Sequence, residues 1–412
     1  MSPGTQFYDL AVKAGFYEAT PTGLFGKKDN VRRIWEDMTI KLRLRPYLEE
    51  ILASGRRLRI IDLGSGAGEG FELLTHVPAR LEGSNGPGPE FVVAKNDLDA
   101  YLGLDLSRAM IEQGRRNYRG RSNVRFEVAD LNADLPIADE APFDVYFSSY
   151  GSFSHLRKPD LIQAVSRCAR HARRGSIVVL DLLGRCSLEW PRYWSRSAEE
   201  FLPYNMAYLT PPERRDPDRV EWFRNSFWTG ADVHDAVRAA AESAERAIVV
   251  EHLSDRSIFV GRHIETGLFG APPQRLRYQV NRLLDDGYRG RIDAMHVDGA
   301  AIASQADEFP TVCERLRSYA HQWNTVVDLL DALMAGDKGR VAALIRGADP
   351  ELAEDLVMLK WLAANAYRFP VADYWASVVG PQIAIVLRSR EMALAEGIGC
   401  GHGLFAVLRI AD

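Results

Sequence analysis

A run of alternating glycines beside a carboxylate is the feature of this sequence that most directly suggests chemistry. Three of residues 58–61 are apolar, and the segment is followed by Asp62 and by glycines at positions 64, 66 and 68. Such a run is typical of a buried strand, a tight turn and the start of a helix. A glycine turn lets a ligand approach the backbone closely at a helix N-terminus. The carboxylate of Asp62 would repel a pyrophosphate at this turn, so it favours a ligand that carries hydroxyl groups and a positive charge.

The spacing of the glycines excludes the dinucleotide-binding fingerprint G-x-G-x-x-G. A fingerprint that begins at Gly64 needs glycine at position 69, which is Glu69. One that begins at Gly66 needs glycine at position 71, which is Phe71. The turn therefore predicts a different ligand from a nicotinamide or flavin dinucleotide.

Four further segments read as strands that end in polar residues. They are residues 101–107, 124–131, 143–150 and 175–181. Asp105 and Asp130 stand at the ends of the first two, and Ser148 lies in the third. Because the carboxyl ends of strands line the ligand crevice of a doubly wound sheet, we expect these side chains to lie close together.

In this order, the elements between residues 30 and 266 resemble a class I S-adenosylmethionine-dependent methyltransferase, of the bacterial type that acts on small molecules. The resemblance implies an α/β fold with a doubly wound, seven-stranded Rossmann-like sheet, and S-adenosylmethionine as cofactor with S-adenosylhomocysteine as product. It places the ribose at Asp105 and the adenine amino group at Asp130. The cofactor-binding residues that the resemblance implies are Asp62, Gly64, Ser65, Gly66, Gly68, Asp105, Leu106, Met110, Asp130, Leu131 and Ser148.

Methyl transfer requires a nucleophile held about 3 Å from the methyl group in a dry pocket. A hydroxyl or amine acceptor also needs a base. Tyr150 and His155, after the fourth strand, are the catalytic candidates, although His155 could instead shape the cofactor pocket. His252, His263 and Glu251 are weaker candidates. Neither the four cysteines nor the nine histidines have the spacing of a metal site, so we expect no metal.

Length, composition and net charge limit the kinds of protein that this chain could be. The chain has 412 residues, of which 46% are hydrophobic and 26% charged, as expected for a soluble protein of two bodies. A net charge of −5 argues against a nucleic-acid partner, and no apolar run has the length of a membrane span. Scattered cysteines and the absence of a signal pattern predict a cytoplasmic protein. A basic cluster at residues 115–121 reads as a solvated helix end rather than a phosphate site.

The N-terminal part, residues 1–54, is predicted to be helical, with helices over 31–42 and 44–52. Its aromatic residues could cover the cofactor or substrate, or could pack on the sheet edge; they are Tyr8, Phe16, Tyr17 and Phe25. The methyltransferase domain is predicted over residues 55–266. Residues 79–98 are rich in glycine and proline and indicate a surface insertion.

Residues 184–230, which we call the cap, hold half of the chain's eight tryptophans. They predict either an aromatic lid over a flat or hydrophobic substrate, or an insertion with its own core. A helix over 231–244 and a hairpin of residues 248–251 and 257–264 should then close the sheet. Residues 267–412 are predicted to form a mixed, mainly helical module for dimerisation or substrate gating. Its predicted helices are 306–333 and 340–367, and its predicted strands are 382–387 and 404–408.

The resemblance and the aromatic cap together predict methyl transfer to an O, N or C nucleophile of a small molecule. The expected partner is an apolar or aromatic compound from natural-product or sugar biosynthesis, with a possible homodimer and with neither nucleic acid nor membrane as partner. Two alternatives remain open at this point. One is a methyltransferase acting on RNA or protein, and the other is a non-catalytic protein that binds S-adenosylmethionine.

Overall fold

The computed structural model describes residues 28–80, 90–94, 96–289, 291–394 and 396–412, together with residues 8, 11–13, 15 and 17. Phe16, Phe25 and half of the predicted insertion over 79–98, namely residues 81–89 and 95, lie outside these ranges. Within them the chain forms one seven-stranded sheet, a two-stranded ribbon and a group of helices near the C-terminus.

The strands in chain order are β1 Leu58–Leu63, β2 Leu98–Asp105, β3 Val124–Val128, β4 Val145–Phe147, β5 Ile177–Leu183, β6 Leu202–Tyr204, β7 Phe223–Asn225, β8 Ile248–Arg256 and β9 Gly403–Ile410. The helices are α1 Met38–Ala53, α2 Glu69–Thr75, α3 Arg108–Asn117, α4 Lys158–His171, α5 Gly230–Ala244, α6 Leu276–Arg282, α7 Gly299–Ala303, α8 Pro310–Met334, α9 Lys338–Gly347, α10 Pro350–Ala364 and α11 Gly380–Leu394. A π-helical turn, Arg32–Asp37, leads directly into α1.

The large sheet has the strand order β3-β2-β1-β4-β5-β9-β8. β1 pairs in parallel with both β2 and β4, and β9 pairs antiparallel with β5 and β8. The strand order reverses between β1 and β4, which is where a doubly wound sheet opens its ligand crevice. The predicted α/β fold with a seven-stranded Rossmann-like sheet is confirmed.

Alternate residues of β1 explain why helices cover both faces of the sheet. Ile60 packs into the core beside α1 and α2, whereas Ile61 packs into the core beside α4 and α5. Both side chains are fully buried, as expected for a parallel strand that is covered on both sides.

The predicted hairpin partner of residues 248–251 was wrong. Residues 257–264 form no strand, and β9, from the C-terminal end of the chain, completes the sheet instead. Phe259 in that segment stacks on Tyr319 of α8 with ring centroids 4.7 Å apart, so its apolar residues are buried against helices. A domain boundary near Thr266 therefore does not fit the sheet, because residues 257–402 are inserted between its last two strands.

Residues 382–387 were also predicted wrongly as a strand, since they lie in α11. Ile383, Val386 and Leu387 are buried, while Ile385 is 37% exposed. Burial at positions i, i+3 and i+4 is the pattern of a helix face, and a short apolar run does not distinguish it from a strand. The predicted strand over 404–408 and the two predicted helical regions before it are confirmed.

Candidate functional site

A cavity of about 740 Å³ lies at the carboxyl ends of β1, β2 and β4. Its size is within the range of ordinary small-molecule sites. Its floor comes from the glycine turn after β1 and from the loops after β2 and β3. Its roof comes from the cap and from Tyr8 and Tyr17 of the N-terminal segment. These two tyrosines fit the expectation that N-terminal aromatic residues cover the site.

Most of the residues predicted to bind the cofactor line this cavity. They are Gly64, Ser65, Gly66, Asp105, Leu106, Met110, Asp130 and Leu131. Asp62, Gly68 and Ser148 do not line it. Their roles as direct cofactor ligands therefore have no support from the geometry.

Asp62 is buried beneath the turn and does not point into the cavity. Its Oδ2 accepts a 2.5 Å hydrogen bond from the Tyr101 hydroxyl, and burial raises its pKa to about 7. A Cβ atom at Gly70 would lie only 2.2 Å from the same oxygen, so this carboxyl group packs under the first turn of α2. The expectation that the acid at the end of β1 faces the ligand was wrong.

Asp105 is the acid that the structure brings to the glycine turn. Its Oδ2 accepts a hydrogen bond from the backbone N–H of Gly66 at 2.9 Å, and its Oδ1 accepts one from that of Ser107 at 2.8 Å. Each carboxylate oxygen can accept a second bond. The residue thus fixes the turn to the end of β2 and presents a carboxylate to the cavity.

Gly66 and Gly68 are required for different reasons. Both have positive φ angles, 54° and 92°. A Cβ atom at Gly66 would meet only Tyr17, at 3.9 Å, and would occupy the cavity. A Cβ atom at Gly68 would lie 2.5 Å from the ring of Tyr118 and 2.7 Å from that of Phe126. Gly66 therefore leaves space for a ligand, whereas Gly68 permits packing.

We expect Gly66→Ala to lower the affinity for S-adenosylhomocysteine at least tenfold, while the left-handed backbone costs about 1–2 kcal/mol of stability. Gly68→Ala should cost more stability, because it adds overpacking of roughly 1–3 kcal/mol to the same backbone strain. Calorimetric titration and urea denaturation of both variants measure the two effects. Normal binding by a folded Gly66→Ala protein would contradict this role of the turn.

His155 lies at the end of a short 3₁₀ helix, Ser152–His155, and lines the cavity. Its Nε2 is 3.0 Å from the hydroxyl of Tyr8, and its ring stacks on Phe223 with centroids 5.4 Å apart. Burial lowers the pKa of this histidine to about 4. At neutral pH the imidazole is therefore uncharged and able to accept a proton.

Tyr150 also lines the cavity, but its hydroxyl is engaged elsewhere. It donates to Asp37, and the guanidinium of Arg32 lies 3.3 Å from the ring centroid. Burial raises the pKa of this phenol well above its usual value. A phenol that keeps its proton cannot act as a base, so Tyr150 fits a positioning role better than proton removal.

The weaker candidates lie away from the cavity. Glu251 pairs with Arg409, and His252 is 2.9 Å from the hydroxyl of Ser254. Burial lowers the pKa of His252 to about 4. His263 is buried, with Nε2 3.0 Å from the carbonyl oxygen of Asn205. None of the three lines the cavity.

A buried group of charges lies behind the cavity, and none of its residues belongs to a recognisable sequence motif. Glu36, on the π-helical turn, accepts hydrogen bonds from Arg262 at 2.5 Å and from Arg277 at 2.8 Å. The guanidinium of Arg256 lies 3.7 Å from Glu36 and donates two hydrogen bonds to Asp181. π-helical turns occur frequently at functional sites. Through these hydrogen bonds and ion pairs, the group connects the N-terminal segment with β5, β8 and the segment after β8.

The aromatic residues of the cap divide between a core of its own and the lining of the cavity. Trp190, Tyr193 and Phe227 pack with Phe269 in a small core of their own. Four other aromatic residues line the cavity, namely Phe201, Tyr208, Trp222 and Phe223, and Tyr204 belongs to both groups. The cap is thus a folded unit that presents one aromatic wall to the site.

Neither a metal site nor a membrane-spanning helix is found in the part of the chain that the structure describes. No three or more histidine, cysteine, aspartate or glutamate side chains are grouped so as to bind a metal ion. None of the helices there has the length and apolar character needed to cross a membrane.

Part of the sheet lies in a segment of the chain that is similar to a known protein family. Residues 81–175 match the family model of a methyltransferase domain. No curated protein matches the chain in sequence. The matched residues include β2 to β4, so the match contains Asp105, Asp130 and His155.

Solved structures resemble the chain at low identity. A methyltransferase from Clostridium acetobutylicum that depends on S-adenosylmethionine is 12% identical, with 61% of this chain and 88% of that chain covered and a TM-score of 0.35. CalS10, an amino pentose methyltransferase from Micromonospora echinaspora involved in calicheamicin biosynthesis, is 15% identical, with coverage of 50% and 81% and a TM-score of 0.30.

A third match is a chain from the complex between Trm112, a methyltransferase activator of Haloferax volcanii, and a methyltransferase. It is 17% identical, with a TM-score of 0.30, and the match covers 50% of this chain and 66% of that one. These TM-scores are low, and the fold assignment therefore comes from the strand order of this chain itself.

Proposed function

We propose that the chain is a class I S-adenosylmethionine-dependent methyltransferase and that it methylates a small molecule held beneath the aromatic wall of the cap. The observation that supports this acceptor is that one cavity is lined both by the glycine turn and Asp105 and by cap residues such as Tyr208 and Trp222. Aromatic side chains offer large contact area together with polar edges, which suits a compact organic acceptor. A natural-product or sugar scaffold with a hydroxyl or amine group has these properties.

The residues present fit the cofactor. Gly66 has no side chain that would fill the cavity, and the carboxylate of Asp105, which lines the cavity, would accept hydrogen bonds from the ribose hydroxyls. When bound, S-adenosylmethionine supplies an electrophilic methyl group on a sulfonium and leaves as S-adenosylhomocysteine. The aromatic wall of the cap would position the acceptor beside the cofactor.

His155 is the residue that we propose to take the proton from a hydroxyl or amine acceptor. It is uncharged at neutral pH because burial lowers its pKa to about 4. The proton would pass to a ring nitrogen as the acceptor atom bonds to the methyl carbon. Tyr8 contacts Nε2 and Phe223 stacks on the ring, so both hold the imidazole in place.

Asp105→Ala should weaken binding of S-adenosylhomocysteine by about 1–3 kcal/mol, the usual contribution of hydrogen bonds to a charged group. Asp99→Ala is the matched control, because Asp99 lies on the same strand, pairs with Arg59 and does not line the cavity. Isothermal titration calorimetry of both variants measures the difference. Equal affinities would place the ribose elsewhere.

The acceptor class is tested with tritiated methyl groups on S-adenosylmethionine and a cell extract divided into small molecules, RNA and protein. We expect label in the small-molecule fraction only. Label in RNA or protein would favour the corresponding alternative acceptor. Binding of S-adenosylmethionine without transfer to any fraction would favour a non-catalytic binding protein, and no binding would overturn the cofactor assignment.

A further inference from the structure

The cavity is lined by acids at the ends of the strands and by arginines of the cap and of the segments that contact it. Glu69, Asp105 and Asp130 line the side formed by the strand ends. Arg157, Arg224 and Arg262 line the side formed by the cap and the segments next to it. A cavity with charges separated in this way favours ligands with matching charge at each end.

The three arginines differ in whether a carboxylate compensates their charge. Arg262 is buried and donates to Glu36, so its charge is already balanced inside the protein. Neither Arg157 nor Arg224 takes part in an ion pair among the residues that the structure describes. Both are exposed to solvent at the cavity.

Phe201 of the cap brings these two arginines together. The guanidinium of Arg157 lies 5.3 Å from the centroid of the Phe201 ring. Arg224 donates a 2.7 Å hydrogen bond from Nη1 to the backbone carbonyl of the same residue. Arg157 immediately precedes α4, and Arg224 lies in β7, so two separate elements direct cations to one place on the cavity wall.

We propose that the methyl acceptor carries an acidic group, a carboxylate or a phosphate, that binds between Arg157 and Arg224. This inference rests on the proposed function, since it concerns the acceptor of that reaction. Guanidinium groups bind both kinds of anion through paired hydrogen bonds. An anionic group held at the cap wall would leave the rest of the acceptor against the aromatic side chains and would orient its nucleophile toward the cofactor side.

The test uses protein saturated with S-adenosylhomocysteine and three aromatic probes, namely benzoate, phenyl phosphate and the neutral benzyl alcohol. Ligand-observed NMR titration measures their affinities. We expect at least one of the two anions to bind about tenfold or more tightly than benzyl alcohol. A preference for benzoate identifies a carboxylate as the acidic group, and a preference for phenyl phosphate identifies a phosphate.

Arg157→Gln and Arg224→Gln should each lower the affinity for the preferred anion roughly tenfold, as expected for the loss of a charged hydrogen-bond donor. Arg157→Lys and Arg224→Lys should retain more of it, because the charge remains. Arg214→Gln is the matched control, since Arg214 is an exposed cap arginine that does not line the cavity.

Three results would overturn the proposal. One is binding of benzyl alcohol as tight as that of the anions. Another is an affinity for the preferred anion that is the same in Arg157→Gln and Arg224→Gln as in Arg214→Gln. The third is the absence of anion binding by protein that binds S-adenosylhomocysteine normally. Failure to bind S-adenosylhomocysteine would instead contradict the proposed function, so the two failures are distinguishable.

Discussion

Replacing Glu36 by glutamine should destabilise the protein by about 3–5 kcal/mol, the usual cost of removing one partner of a buried ion pair. Glu36 has no exposed surface and accepts hydrogen bonds from Arg262 and Arg277. Burial by itself would raise the pKa of Glu36, but Arg262, Arg277 and Arg256 hold it well below the usual value. The glutamine would leave these cations without their shared anion in a medium of low dielectric constant.

The pH dependence of this effect follows from the lowered pKa. Ionised Glu36 stabilises the folded state above the pKa of an unfolded glutamate, about 4.3. That stabilisation is lost as the pH falls through the still lower pKa of the folded state. We therefore expect Glu36→Gln to have a free energy of unfolding about 3–5 kcal/mol below that of wild type at pH 7. This difference should become smaller in strong acid.

Glu50→Gln is the matched control, because Glu50 also pairs with an arginine, Arg409, but is 60% exposed. An exposed pair contributes roughly 0–1 kcal/mol. Urea denaturation at pH 7 of wild type and both variants gives the comparison. If Glu36→Gln costs no more than Glu50→Gln, the charges behind the cavity are not held in the buried arrangement described above.

The strands that form the cofactor side could be predicted from the sequence because their signals are local. Each of β1, β2 and β3 ends near an acid or a glycine, and the parallel sheet places those ends at one edge. Asp105 and Asp130 were found in this way. The same reasoning failed for Asp62, because the direction of a side chain at the end of a strand depends on its packing, here under Gly70 and against Tyr101.

Contacts between distant parts of the chain could not be predicted in the same way. β9 completes the sheet from residues 403–410, more than a hundred residues after β8, and no local pattern tells which strand it pairs with. Glu36 and Arg262 are likewise far apart in sequence and lie in no motif. Arg157 and Arg224 read as ordinary surface arginines until the fold places both beside Phe201.

His155→Asn should lower turnover on the order of a hundredfold or more, while the affinity for S-adenosylhomocysteine stays near that of wild type. Asparagine is polar and of similar size but cannot take up a proton at neutral pH. His252→Asn is the matched control, because burial also lowers the pKa of His252 to about 4, yet this residue lies away from the cavity. The measurement is single-turnover methyl transfer to the acceptor identified with labelled methyl groups.

The pH profile of the wild-type rate separates a base from a residue that only shapes the pocket. A free histidine would lose its basic form below about pH 6.5. Because burial lowers the pKa of His155 to about 4, its basic form persists to lower pH. We therefore expect a constant rate from pH 8 to pH 6 and a decrease only as the pH approaches 4, and we expect His155→Asn to abolish this decrease. Loss of cofactor affinity in His155→Asn would instead mean that the imidazole shapes the cofactor pocket, and unchanged turnover would mean that another group accepts the proton.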